Sequence, residues 1–316
     1  MNSGRPAETL WEKPMLTLEH TTPQVPAKPP PWRLLWHAGV FLALFFSVAS
    51  ARASDSKWSA QNWVESLGEG RIDWTAALVI ASGSEASGGL DESELKTAAR
   101  ENARSALEKV LMAVQVDARR CIGELASKDP HLAARLAEMI AEANVTDENL
   151  ADGVATATVV LPMLGALSQL VLPADLREVQ PILPVGTPPA PSPSAEGYSG
   201  LIVDARGIDL KPALVVAFRD ESGVEIFGPA FVSREFAVQK GMCRFMTDLE
   251  ATRREARIGE RPLTIKALRS TGPHRTELIL TRSDAAKLHS VSGNLTFLRA
   301  CRVIVVLDPS SPGKNP

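Results

Sequence analysis

Large aromatic side chains are scarce in this 316-residue sequence: it has one Tyr, Tyr198, and aromatics are 5% of the whole. Six of the few, Trp11, Trp32, Trp36, Phe41, Phe45 and Phe46, precede residue 54. Any core beyond that point must therefore be built from Leu, Val, Ile and Ala. Histidine is equally sparse. Past residue 53 only His131, His274 and His289 occur, none in an HxxxH or HExxH pair, so a zinc site of ordinary spacing is not visible. Three cysteines, Cys121, Cys243 and Cys301, stand far apart without a CxxC. There is no GxSxG elbow, and Ser82–Gly89, although rich in Gly and Ser, lacks the Lys-Ser/Thr of a phosphate-binding loop. A plain connection is expected there.

An excess of basic charge is also missing. The net charge is −3. Five of the 34 basic and three of the 37 acidic side chains fall in residues 1–53, which leaves the remainder at −5. A mildly acidic body gains nothing from counterion release, so neither nucleic acid nor an anionic lipid surface is an expected partner.

What is present begins with one strongly apolar run, LLWHAGVFLALFFSVAS at 34–50. Arg33 precedes it and Ala51-Arg52-Ala53 follows, a small-x-small exit with Ser54 as the new N-terminus. Basic flank, short apolar core and small-residue exit make a secretory leader. The alternative is an uncleaved signal anchor, although 17 residues containing His37 are marginal for a hydrocarbon core of roughly 30 Å. Seven prolines crowd the first 31 residues; they form either a disordered lead-in or a stretch upstream of a later start at Met15. No Cys near the exit offers a site for lipid attachment.

The remainder reads as α+β: two small α+β domains joined by a Pro-rich linker. The expected bounds are 1–53 for lead-in and leader, 54–180 for the first domain, 181–197 for the linker, 198–308 for the second domain and 309–316 for a frayed tail. The linker contains PILPVGTPPAPSP, with six prolines and no apolar period, and is expected to separate independently folded bodies. In the first domain, 72–81 is expected as a buried strand. Asp91 with Glu94 three residues on predicts a capping box, followed by a helix to about Leu125 with Leu95, Ala99, Ala106, Val110 and Val114 on its apolar stripe. Asp129-Pro130 opens a second helix, the Asp152-Gly153 turn leads into a strand over 154–160, and 163–172 is strand or short helix.

In the second domain, strands are expected at 199–205 and 301–307. Hairpins are expected from 214–219 to 224–227, and from 263–268 to 277–280. A helix begins near Ser283 or Asp284. Arg253, Arg254, Arg257 and Arg261, interleaved with Glu250, Glu255 and Glu260, predict a solvated helix with i,i+4 pairs. Asp204 and Arg206, two apart on a strand, share a face. They are either a local ion pair beside Gly207 or a contact for a polar ligand or partner. His131 and His274 are expected in solvent. An oxidising compartment would permit a Cys243–Cys301 disulfide, whereas small buried thiols are the commoner state. The sequons at Asn144 and Asn294 are read as chance matches.

YSGLIVDARG (198–207), DESGVEIFG (220–228), VSREFAVQKGM (232–242) and CRVIVVLD (301–308) resemble segments of the Lpp-twenty outer-membrane lipoprotein group, which is similar in part to flagellar assembly protein T. AARENARSALEKVLMAVQV (98–116) is the Ala-periodic helix such proteins carry. The resemblance implies a non-catalytic component of a bacterial envelope, in some members tied to flagellar assembly, with protein partners there. The absence of an acylated Cys departs from the lipoprotein members and puts outer-membrane anchoring in doubt. Catalytic, cofactor and metal residues are therefore not assigned, and contact with a membrane is expected only through an uncleaved leader. The competing expectation is a periplasmic enzyme whose site is assembled from scattered Asp, Arg and Ser residues.

Overall fold

Capping chemistry starts the longest element where the sequence places it. In a computed structural model describing residues 62–174, 176, 197–290 and 292–309, the Asp91 carboxylate accepts from the N–H groups of Ser93 and Glu94, and the Glu94 carboxylate accepts from Asp91 N–H at 3.0 Å. These bonds satisfy donors that have no intrahelical acceptor. The helix, α1 (Glu92–Ala113), buries Leu95, Ala99, Ala103, Ala106, Leu107, Val110 and Leu111. It ends a dozen residues before the expected Leu125. Gln115 bridges Cys121 instead, and a separate α2 (Ile122–Ala126) follows. The second Asp cap holds as expected: Asp129 accepts from His131 and Leu132 and starts α3 (Pro130–Ala141).

α1 lies on a five-stranded antiparallel sheet ordered β1-β2-β3-β5-β4: Val64–Leu67, Gly70–Asp73, Leu78–Ala86, Val154–Pro162 and Asn144–Ala151 respectively. The single strand expected over 72–81 is instead the end of β2 and the start of β3, joined by a turn at 74–77 with Ala77 in the left-handed region at φ 57°. The loop expected at 82–89 is mostly strand, because β3 continues to Ala86 beside β5. Gly83 permits this. A Cβ there would lie 2.1 Å from Ala103 N in the helix backbone, so α1 packs directly on the strand. Asp152 and Gly153, with φ of 52° and 73°, make the turn from β4 to β5 that a two-residue hairpin requires. Residues 163–172 resolve in favour of helix, α4 (Ala166–Val171).

The chain is of α+β class, but the second region contains a topology that the hairpin expectations did not foresee. Four strands, β6 (Gly200–Asp204), β9 (Arg244–Met246), β10 (Pro262–Lys266) and β13 (Val303–Val306), form an all-parallel sheet in the order β10-β6-β13-β9. Both faces are covered. Leu201, Val203, Val303 and Val305 enter the main core, whereas Ile202, Ile304 and Val306 turn to a second cluster with Met246 and Ile258. This explains the unbroken apolar runs of β6 and β13, since a strand buried on both faces has no polar side to alternate with. A second sheet, β11-β12-β7-β8, carries Arg269–Thr271, Glu277–Leu280, Phe218–Asp220 and Glu225–Phe227. The hairpin from β7 to β8 is the expected one, with its first arm shortened from 214–219 to Phe218–Asp220. The other is corrected: β12 pairs with β11, while 262–266 belongs to the parallel sheet. The remaining helices are α5 (Arg234–Lys240), α6 (Leu249–Thr252), α7 (Arg282–His289, capped by Thr281) and α8 (Ser292–Arg299).

The described residues cluster as one unit, and their main core runs from Ile72 in β2 to Leu307 after β13. Trp74 meets Phe245 edge-on at 6.0 Å. Leu214 and Val215 donate their N–H groups to Gln115 and Val116, and Gly165 N–H donates to Val238. Arg234 reaches back to the carbonyls of Gln169, Leu172 and Pro173, closing the exposed end of α4. The two regions are thus packed on each other. The linker expectation, apart from Gly197, lies outside the described residues, as does the leader.

Candidate functional site

Parallel alignment brings the carboxyl ends of four strands to one edge, the place where open α/β sheets bind ligands. In spatial order the edge carries Lys266 at the end of β10, Asp204 at the end of β6 with Arg206 just beyond it, Asp308 after β13 and Asp248 after β9. Asp204 and Arg206, paired by sequence, are indeed together. The carboxylate accepts from Arg206 N at 3.1 Å, Nε at 2.9 Å and Nη2 at 2.9 Å. Lys266 Nζ lies 3.4 Å from the same carboxylate and donates to the Arg206 carbonyl. Asp308 accepts from Gly207 N–H at 2.7 Å and so fastens the turn after β6. Asp248 caps α6 through Glu250 and Ala251 N–H.

The electrostatics follow from these contacts. The Arg206 hydrogen bond, helped by Lys266 and opposed by partial burial, lowers the Asp204 pKa to about 2. Arg206 is pushed up in turn, first by Asp204 and then by the more distant charges of Asp308 and Asp248. The Asp204 pKa is depressed on folding, so its contribution to stability is present above the ordinary carboxylate range near pH 4 and is lost as pH falls toward 2. Arg206 is 40% exposed and water screens the pair, so that contribution is about 1 kcal/mol. Asp204→Asn should flatten the acid limb of a stability-versus-pH curve between pH 4 and 2 by this amount. An unchanged acid limb would show that the pair is not held in solution.

The other sequence candidates are placed elsewhere. Cys121 and the two cysteines that could pair by sequence, Cys243 and Cys301, are free thiols here. Cys243 and Cys301 are both desolvated, which pushes each up to about 12 despite the nearby cation of Arg257. Arg257 itself corrects the expectation of a solvated basic helix. Residues 249–258 form only α6 and a short 3-10 turn at Ala256–Ile258. From that turn the guanidinium runs inward to the carbonyls of Cys301 (2.8 Å), Lys240 (2.6 Å) and Gly241 (2.6 Å). Burial lowers its pKa. No local spacing signals this role, because the acceptors lie 16 to 44 residues away. His131 is exposed in the first turn of α3 and His274 is exposed beside Gly272. Asn294 is fully buried, accepts from Tyr198 N–H and donates to the carbonyls of Lys287 and Leu288, so its sequon serves packing. A cleft of about 210 Å³ between α1 and α3, lined by Glu101, Arg104, Ser105, Glu108 and Ile140, is smaller than the roughly 300–1,000 Å³ of ordinary ligand pockets.

Among the described residues, no group of three or more His, Cys, Asp or Glu side chains is arranged to hold a metal ion, and no helix is long and apolar enough to cross a membrane. No curated protein matches the chain. One family does match, over residues 200–309: that described as the second domain of Treponema pallidum Tp0624. The matched span opens at the first residue of β6 and closes just past Asp308, so the whole polar edge of the parallel sheet lies inside the part of the chain that is similar to that family.

Proposed function

We propose that this protein is an exported, non-catalytic interaction module of a bacterial envelope, and that the Asp204–Arg206 edge of its parallel sheet contacts a protein partner there. One observation carries the reading: the titratable groups in question are tuned away from neutrality. General acid–base catalysis works best with a pKa near the operating pH, and nucleophilic cysteines are thiolates. Here Asp204 is held at about 2, and Cys243 and Cys301 are pushed to about 12. Such groups stay fixed as a charge and as two neutral thiols across physiological pH. They position and pack. The apolar leader at 34–50 and its Ala51-Arg52-Ala53 exit support export. The motif resemblance to Lpp-twenty and flagellar assembly proteins supports a place in outer-membrane or flagellar assembly.

Mass spectrometry of the envelope fraction is expected to find Ser54 at the N-terminus. A photoreactive amino acid at Leu268, which is 47% exposed beside the edge, is expected to cross-link to an envelope protein, and Arg206→Glu should abolish that adduct. Retention of the protein in the cytoplasm would refute export. An adduct that survives Arg206→Glu would refute the edge as the contact.

A further inference from the structure

A second surface, independent of the Asp204–Arg206 edge, is built for main-chain recognition. β4 (Asn144–Ala151) ends its sheet, pairing on one side with β5 and with nothing on the other among the described residues. Seven of its eight residues are exposed. An edge strand of this kind presents a row of unpaired N–H and C=O groups and is a template for another extended chain. The turn at Asp152-Gly153 and nine-residue β5 hold it in place, so little ordering is needed on its side. Its charge then selects what can pair. Asp147 and Glu148 occupy the middle, with Glu142 and Asp152 just beyond the two ends. Arg100 answers Glu148, which leaves an acidic strand.

Two copies meeting antiparallel at β4 would bring the central carboxylates of both against each other, and like charges facing across strands are destabilising. The edge therefore disfavours self-association. The register shift between Val145 and Asp147 also marks where a visiting strand can pair most regularly, from Asp147 to Ala151. We propose that β4 accepts an extended, lysine- or arginine-bearing segment of a protein partner by strand addition, with backbone bonds supplying affinity and Asp147 and Asp152 choosing basic side chains.

The test uses the full chain and an eight-residue peptide alternating lysine and valine, monitored by hydrogen exchange. The amides of residues 144–151 should slow by about tenfold or more at saturating peptide, as main-chain pairing requires. A glutamate-for-lysine peptide should give no protection. A lysine peptide N-methylated on every second residue, which keeps the charge but blocks one hydrogen-bonding edge, should also give none. Asp147→Lys should weaken the lysine peptide by roughly fivefold or more. Equal protection by the methylated peptide would overturn strand addition, and equal binding of the glutamate peptide would overturn the charge selection. Absence of protection with all peptides, in a protein whose other amides exchange as before, would overturn the proposal entirely.

Discussion

Val110→Asp is expected to destabilise the full chain by about 3–5 kcal/mol, through lost apolar burial and an unpaired buried carboxylate. Val110 is 2% exposed, and its Cγ2 lies 2.6 Å from where a Cβ on Gly70 would sit. The side chain is thus wedged between α1 and the hairpin of β2 and β3, with no room for water to follow a charge inward. Lys109, one residue earlier, is exposed. Lys109→Asp should cost roughly 0.5 kcal/mol or less. Thermal melts should separate the two, with a fall of roughly 6–20 °C for the core change. The full chain is the right object, since Trp74 and Phe245 join the first region's core to the second. Equal shifts for the two variants would mean that α1 is not docked by this face.

Arg257→Met is expected to be as damaging, by a different route. The guanidinium holds three carbonyls from two places far apart in sequence: Lys240 and Gly241 at the end of α5, and Cys301 in the turn before β13. The end of a helix leaves acceptors without intrahelical donors, and Cys301 adopts a left-handed φ of 56°. Methionine fills the volume but donates nothing, so three acceptors lose their partner at once. The cost should be about 3–5 kcal/mol in denaturant unfolding. Arg257→Lys should recover only part of it, because one ammonium cannot span the fork of contacts. Labelling gives a second readout: Cys243 and Cys301 should react faster with a thiol reagent in Arg257→Met. A loss below about 1 kcal/mol with unchanged labelling would mean that the clamp is dispensable.

The elements that could be read from sequence are those decided locally. Asp91 with Glu94, Asp129 with Pro130 and Asp152 with Gly153 each fix a boundary by hydrogen bonds or backbone conformation within four residues, and all three stand. The Leu95–Val110 stripe was legible for the same reason, since its period is a property of one helix. Choices that depend on distant partners were not. Leu263 and Ile265 are equally compatible with a hairpin arm and a parallel strand, and only the docking of Leu201 and Val203 beside them decides for the latter. Gly83 looked like a loop residue because the helix that fills the space above it begins nine residues later. Asp204 and Arg206 were found because they are two apart. Lys266, Asp308 and Asp248 were missed because the parallel register, not proximity in sequence, gathers them.

The order of strands in the parallel sheet also sets a timetable. β6 emerges first of its sheet, yet its two neighbours are β10 and β13, and β13 is the last strand among the described residues. At a synthesis rate of 5–20 residues per second, the hundred-odd residues from Asp204 to Val306 take roughly 5–20 s to follow. Throughout that interval β6, apolar toward both faces, has at least one side unpaired, and both until β10 appears. A chain that translocates should therefore depend on holding by a chaperone until its last strand arrives, and loss of even the final dozen residues of the matched region should leave β6 as a persistent aggregation site rather than a slightly shortened sheet.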